Sequence, residues 1–425
     1  MKIFRITSEI LEKILNRTVI VSGDSDNIAG LSVTLRYALY RAKVYNRPVV
    51  FIYRPLYFPF IFNYIKIHSL KRKHAIFKLT SPYIDNNSWL ILRFLIGNMI
   101  GASSFIAFII NIIKYKIGAL DQVLNYPRFY FAPRQLYSLG SLCATQNLSP
   151  SDITEYDYSL NLNAIDLAKC QLNFNELGLL NLKFVCLHIR TMNYKGTLDN
   201  ENNGFRNASP ESYIPAIKYL ISKGFIVVRL GDVVPNILPN IDGYIDYANS
   251  SYKSEEMDIF LIKKSSFYFG TNSGIYDLAL LLKTPMLTVN TTEMLAAKPY
   301  HRLDVMIYKR VKSHTDRQPL SMKEYLNLDS ISLAEIEFID NESQDMIEAI
   351  DQMLANLKGQ INDDTALDIE FREMQKIAVT RWAQKYKKDS ENAVTYMNAV
   401  DELDRFSSGH HYNGSIGKAF ISKYF

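Results

Sequence analysis

Cysteine is scarce in this chain, with only Cys143, Cys170 and Cys186 among 425 residues. An odd number without metal-ligand spacing excludes a disulfide framework and fits free, buried thiols in a reducing cytosol. Excess charge of one sign is lacking too: 48 Lys and Arg against 43 Asp and Glu leave a formal charge of +5. That is small for this length, and no aromatic and basic signature such as an RNP motif is visible, so no nucleic-acid partner is expected. The first residues show no secretory pattern, and no internal repeat or low-complexity linker marks a domain boundary.

Apolar sequence is plentiful, at 48% hydrophobic against 21% charged residues, so the chain can bury substantial cores. One hydrophobic core rarely grows beyond about 250–300 residues, which makes two domains the expectation.

In the N-terminal third, residues 18–22 read as a strand, followed by the turn-rich Gly23-Asp24-Ser25-Asp26-Asn27. A helix opens at Gly30 and runs to about Tyr45, and residues 48–53 read as a second strand. Residues 54–74 then mix aromatics with Lys66, Lys71, Arg72, Lys73 and His74, while residues 94–113 carry no charge. The second run approaches the roughly 20 residues needed to span a bilayer core. Gly97, Asn98, Gly101, Ser103, Ser104 and Asn111 interrupt it, which favours a buried or peripheral membrane-contacting segment over a span. The nearby basic residues suit either an anionic leaflet or solvent.

The central region alternates strand and helix signals. Residues 184–189 form a continuous apolar run, the pattern of a strand buried on both faces. Ser209, Pro210 and Glu211 suit a helix start. Tyr213, Ile214, Ile217, Leu220 and Ile221 make one apolar stripe, and Gly224 ends it. Strands are expected at 225–230, 243–246, 266–269 and 285–289, with helices at 255–264 and 275–282. Repeated units of this length indicate a right-handed parallel sheet covered on both faces. His188-Ile189-Arg190 and Gly270-Thr271-Asn272-Ser273-Gly274 then fall at strand ends, where such sheets bind ligands and where a helix start suits a phosphate. Farther on, Met346, Ile347, Ile350, Met353, Leu354 and Leu357 form a helical stripe, and residues 364–405 are charged and helix-favouring.

Several runs together resemble a known family. They are His188-x-Arg190, Phe205-Arg206-Asn207-Ala208-Ser209, Val228-Arg229-Leu230-Gly231, Asp246-Tyr247-Ala248-x-Ser250, Met257-Asp258-Ile259, Thr271-x-Ser273-Gly274 and the closing Gly414-Ser-Ile-Gly-Lys-Ala-Phe420. They look like a family of bacterial surface-polysaccharide glycosyltransferases, distantly similar to fucosyltransferases and heptosyltransferases. The resemblance implies an α/β protein of GT-B type: two Rossmann-like domains, at 1–165 and 166–340, with a helical C-terminal extension at 341–425 returning toward the first domain. It implies transfer of a sugar from a nucleotide-sugar donor to a saccharide or lipid-linked saccharide acceptor. It further implies a cytoplasmic location at the inner face of the membrane.

In that setting Arg190, Arg206 and Arg229 are candidate phosphate ligands, because guanidinium binds phosphate through paired donors. Asn272, Ser273 and Gly274 would bind phosphate oxygens at a helix start, and His188 would donate to phosphate or to a sugar oxygen. Asn207, Asp246, Tyr247, Lys253 and Asp258 join the donor site by resemblance. Asp24 and Asp26 are the candidates for the base that deprotonates an acceptor hydroxyl. Each has a duller alternative: Asp24 and Asp26 as turn residues, His188 as a hydrogen-bonded structural residue, and Arg206 as a solvated loop side chain. Arg229 is alternatively an ion-pair partner of Asp232 or Asp246, Tyr247 a core residue, and Asn272 and Ser273 helix caps. No cofactor and no metal are expected. The central region lacks Asp-x-Asp, Asp24-x-Asp26 lies far from the phosphate helix in sequence, and His410-His411 is too small a group. The alternative functions are a nucleotide-sugar epimerase or polyol-phosphate transferase of the same fold, and a non-catalytic polysaccharide-assembly protein.

Overall fold

The computed structural model describes residues 18–22, 28, 32, 35, 36, 39, 42, 46, 48–53, 75–82, 158–191, 201–234, 237–292, 294, 297–315, 318–329, 335–390 and 412–425. The chain divides into two compact units, Met1–Tyr137 with Asp157–Ala164, and Ser138–Tyr156 with Ile165–Phe425.

In the first unit, β1 (Thr18–Ser22) and β2 (Val49–Tyr53) pair in parallel, from Thr18 opposite Val49 to Ser22 opposite Tyr53. Parallel neighbours need a crossover of about a dozen residues or more. A helix supplies it: Ser32, Leu35, Arg36, Leu39 and Ala42 are helical and buried, and their spacing of three and four marks one face. Asp24, Asp26, the basic segment 54–74 and the uncharged run 94–113 lie outside the described residues. Among the described residues no helix is long and apolar enough to cross a membrane.

The second unit is α/β. Its strands begin with β3 (Phe184–His188), β4 (Ile226–Arg229), β5 (Tyr244–Ile245), β6 (Tyr268–Gly270), β7 (Met286–Thr291) and β8 (Val305–Tyr308). Next come β9 (Arg310–Ser313), β10 (Pro319–Leu320) and β11 (Ile336–Ile339), which form a small antiparallel sheet in the order β10-β9-β11. Last is β12 (Ser415–Ile416), which joins the first six in a seven-stranded sheet of order β12-β8-β7-β6-β3-β4-β5. Every pairing in the large sheet is parallel. Strand order runs outward from β3 to β5, then returns to the other side of β3 for β6 and continues to β8. Between β3 and β6 the direction of winding therefore reverses, which opens a crevice at the carboxyl edge.

Helices cover both faces. They are α1 (Ala164–Glu176), α2 (Ile214–Ser222), α3 (Glu255–Lys264), α4 (Gly274–Leu281), α5 (Met322–Asn327), α6 (Ser343–Leu357), α7 (Ala366–Ser390) and α8 (Lys418–Tyr424). Phe184 of β3 meets Phe174 of α1 at 5.7 Å, and Phe174 meets Phe260 of α3 at 5.5 Å. Phe269 of β6 instead meets Tyr213, just before α2, at 5.6 Å. The register pairs Cys186 with Tyr268 and Leu187 with Phe269, and successive strand residues alternate faces. Phe184 and Phe269 therefore point to opposite sides, with α1 and α3 on one and α2 on the other. Val185, Cys186, Leu187, Tyr268 and Phe269 are completely buried. Each large apolar side chain among them contributes about 1.5–3 kcal/mol.

Local chemistry accounts for the element ends. Ser254 caps α3 by accepting from the Met257 amide at 3.1 Å. Glu255, Glu256 and Asp258 occupy its first turn and Lys263 and Lys264 its last, as the helix dipole favours. The expected cap at Ser209 differs. Pro210–Tyr213 forms a 3-10 turn, and the Ser209 hydroxyl donates to Glu211 at 2.6 Å instead of capping. Pro215 is the reason: proline fits only the first turn of a helix, so α2 starts at Ile214. Of the segment expected at 341–425, α6 packs on β7 and β8, α8 packs on α6 and α7, and β12 extends the sheet from β8. Residues 391–411 lie outside the described residues.

At Gly270 the backbone of β6 lies close against that of β3. Its φ is +153°, and a Cβ there would overlap the carbonyl oxygen of His188. Gly270→Ala is expected to cost about 3 kcal/mol or more, read as a lower urea midpoint. Gly359→Ala, with open space around it and a φ of +79°, is expected to cost about 1 kcal/mol.

Candidate functional site

Two chain segments meet at the reversal between β3 and β6. The Thr271 amide donates to the His188 carbonyl at 3.1 Å, and the Arg190 amide donates to the Thr271 hydroxyl at 3.1 Å. These bonds fix His188 and Arg190 beside the start of α4. Ser273 is the N-cap of α4, yet its side chain makes no cap bond. Its Oγ lies 3.1 Å from His188 Nδ1. The side chain of Ser273 is thus turned from the first-turn amides of α4 to His188, and the positive end of a helix favours an anion.

A third segment closes over this edge. The Ala208 amide donates to the Arg190 carbonyl at 3.0 Å, and Arg206 Nη2 donates to the Asn272 carbonyl at 3.1 Å. Five of the expected residues, Arg190, Arg206, Asn272, Ser273 and His188, are thus connected by direct hydrogen bonds or through one intervening residue. Asn207 and Gly274 adjoin them in the chain.

The remaining candidates form ion pairs alongside. Arg229 is buried and donates from Nε to Asp246 Oδ1 at 2.6 Å and from Nη1 to the Asp232 carbonyl at 3.3 Å. Asp246 also accepts from Asn249 at 2.7 Å. Lys253 pairs with the buried Asp258, Nζ to Oδ1 at 2.6 Å, and lies 5.4 Å from the Tyr247 ring centre. Burial pushes the Asp258 carboxyl up, against the opposing pull of Lys253. Tyr247 is fully buried, its hydroxyl donating to the Ser254 carbonyl at 3.1 Å. Arg229 and Lys253 are consequently internal ion-pair partners as well as members of the site's positive field.

His188 feels that field directly. Removal from water, then the charges of Arg229, Lys253 and Arg190, push its pKa down to about 3. Gly231 makes room for the ring, since a Cβ there would lie 2.9 Å from it. A neutral imidazole offers one donor and one acceptor, so with Nδ1 engaged by Ser273 it can orient a ligand oxygen. A conjugate acid near 3 makes it a weak general base at neutral pH. The thiol of Cys186 is likewise unreactive, because burial raises its pKa.

Four contributors are not apparent in the sequence. Lys309, just after β8, sends its buried ammonium to the carbonyls of Phe205 and Asn207, and Asp340 contacts both Lys309 and the Ser209 amide. Asn290 and Asn341 exchange amide-to-side-chain hydrogen bonds at 2.6 Å each way, bridging the end of β7 to the approach to α6. These contacts join residues 31 to 131 positions apart, so no local periodicity announces them. Among the described residues no group of three or more His, Cys, Asp or Glu is placed to hold a metal ion. Asp24 and Asp26 contribute no geometry, since they lie outside the described residues.

Two outcomes are expected. The His188 imidazole should show no titration between pH 5 and 8 in nitrogen-resolved NMR. Its folded pKa lies below the ordinary 6.5, so the unfolded chain takes up the proton first. His188 therefore favours folding above about pH 6.5, and this contribution is lost as pH falls toward 3. Asp246→Ala should leave Arg229 buried without its carboxylate and cost about 3 kcal/mol in urea unfolding. Comparison of the chain with protein-family models, curated proteins and solved structures gave no match.

Proposed function

We propose that this chain is a glycosyltransferase built on two Rossmann-like domains of GT-B type. It would transfer a sugar from a nucleotide-sugar donor to a growing bacterial surface polysaccharide or a lipid-linked acceptor at the inner face of the cytoplasmic membrane. One observation carries the reading: the Arg190 backbone, the Arg206 guanidinium and the start of α4 meet where the winding of the parallel sheet reverses. A nucleoside diphosphate suits this edge in shape and charge.

The chemistry follows from where charge develops. As the glycosidic bond breaks, negative charge grows on the departing diphosphate, and fixed cations and amide dipoles stabilise that state more than the ground state. Arg190, Arg206 and the α4 amides fill this role, supplying the charge that a divalent cation supplies in other transferases. His188, held neutral, orients a phosphate or sugar oxygen as a donor rather than accepting the acceptor's proton. The base falls to Asp24 or Asp26 of the N-terminal unit. Arg229 and Lys253, paired with Asp246 and Asp258, shape the nucleoside side of the pocket. The same pairing favours a second reading, a non-catalytic polysaccharide-assembly protein that keeps a nucleotide-like fold, because Arg229 and Lys253 already have carboxylate partners.

Thermal shifts against UDP, GDP, CMP, ADP and CDP, with and without chelator, test the donor site. A ligand at about 100 times its dissociation constant adds roughly 2.7 kcal/mol to stability. One nucleotide is expected to raise the melting temperature regardless of chelator, and Arg190→Ala to abolish the shift. No shift with any nucleotide from folded protein would defeat the donor-site reading. Binding without sugar transfer to any saccharide acceptor would favour the non-catalytic one.

A further inference from the structure

The segment Phe205–Ser209 carries Arg206 and Asn207 across the carboxyl edge, and its own local bonds are few. Besides the bonds of Ala208 to Arg190 and of Arg206 to Asn272, it is held from more than 100 residues away. Lys309 Nζ reaches the Phe205 carbonyl at 3.1 Å, the Asn207 carbonyl at 2.5 Å and Asp340 Oδ1 at 2.7 Å. An ammonium has three donors, and here each has an acceptor, which is what permits a lysine side chain only 3% exposed. Asp340 uses its other oxygen to accept the Ser209 amide at 2.7 Å. Phe205 stacks on Phe338 of β11 at 5.6 Å, on the strand that leads into Asp340. Alternate residues 205, 207 and 209 are thus tied down through their main chain, while the Arg206 side chain is directed to Asn272. Both polar atoms of the Asn207 side chain are shielded from solvent and meet no protein partner among the described residues. Buried polar groups left in that state call for an explanation, and a bound ligand supplies one.

We infer that Lys309 and Asp340 are the positioning pair of this site, clamping the Phe205–Ser209 segment so that Arg206 and the Asn207 amide face the ligand. The ligand being a nucleoside diphosphate rests on the function proposed above; the clamping does not. Hydrogen–deuterium exchange of the full chain, read over residues 201–212, is paired with titration of whichever nucleotide shifts the wild type. In Lys309→Met the amides of Asn207, Ala208 and Ser209 should exchange about tenfold faster and nucleotide affinity should fall about tenfold. Exchange in β3 and β6 should stay as it was, and Lys309→Arg should recover part of both changes. Unaltered exchange over 201–212, or loosened exchange with undiminished affinity, would overturn the inference. If no nucleotide binds the wild type, the donor-site reading fails by itself and the exchange result alone decides whether the pair clamps the segment. Should Lys309→Met not fold, Asp340→Ala, at a side chain 28% exposed, carries the same comparison.

Discussion

The contact between the backbones of His188 and Gly270 governs the arrangement of the carboxyl edge. Two parallel strands approach so closely there that only a glycine fits, and the next amide, Thr271, bonds back to His188. From that point the two chains can leave only side by side. Arg190 is drawn to the Thr271 hydroxyl, Ser273 is drawn to His188, and α4 begins with its own cap residue turned aside. Reversal of the winding at the same place gives the edge an opening rather than a covering helix.

Electrostatics around this opening follow from burial. Arg190, Arg229 and Lys253 all depress the protonation of His188, but water exclusion does so most. Arg229, buried, and Lys253, half-buried, are themselves tolerated because Asp246 and Asp258 balance them. The result is a positive edge whose imidazole stays neutral, and under the proposed function such an edge would hold an anionic leaving group without giving it a proton. The glycosyl-transfer proposal draws on this balance as much as on the arginines.

Much of the C-terminal unit was legible from pattern. Continuous apolar runs at 184–189 and 285–289 read as buried strands because a sheet covered on both faces needs apolar residues at successive positions. The helix at 255–264 matched in both ends because its cap and its charged turns are local signals. The strands from β8 onward escaped notice. Val305–Tyr308 is short and follows a loop, and β12 has two residues whose strand character exists only because β8 offers an edge. Of the site, the strand-end segments were legible because ligand edges of parallel sheets lie at carboxyl ends. Lys309, Asp340 and the Asn290–Asn341 exchange were not, since a lone lysine or asparagine carries no periodicity.

Residue order therefore determined the local elements, their parallel class and the candidate groups at strand ends, because hydrophobic period, caps and glycines act over a few residues. Tertiary structure alone decided which cations are balanced, that Ser273 serves His188 rather than its own helix, and that Lys309 holds a segment more than 100 residues earlier in the chain. Those outcomes depend on distances between residues far apart in sequence, and only strand order and packing bring such groups within hydrogen-bonding reach.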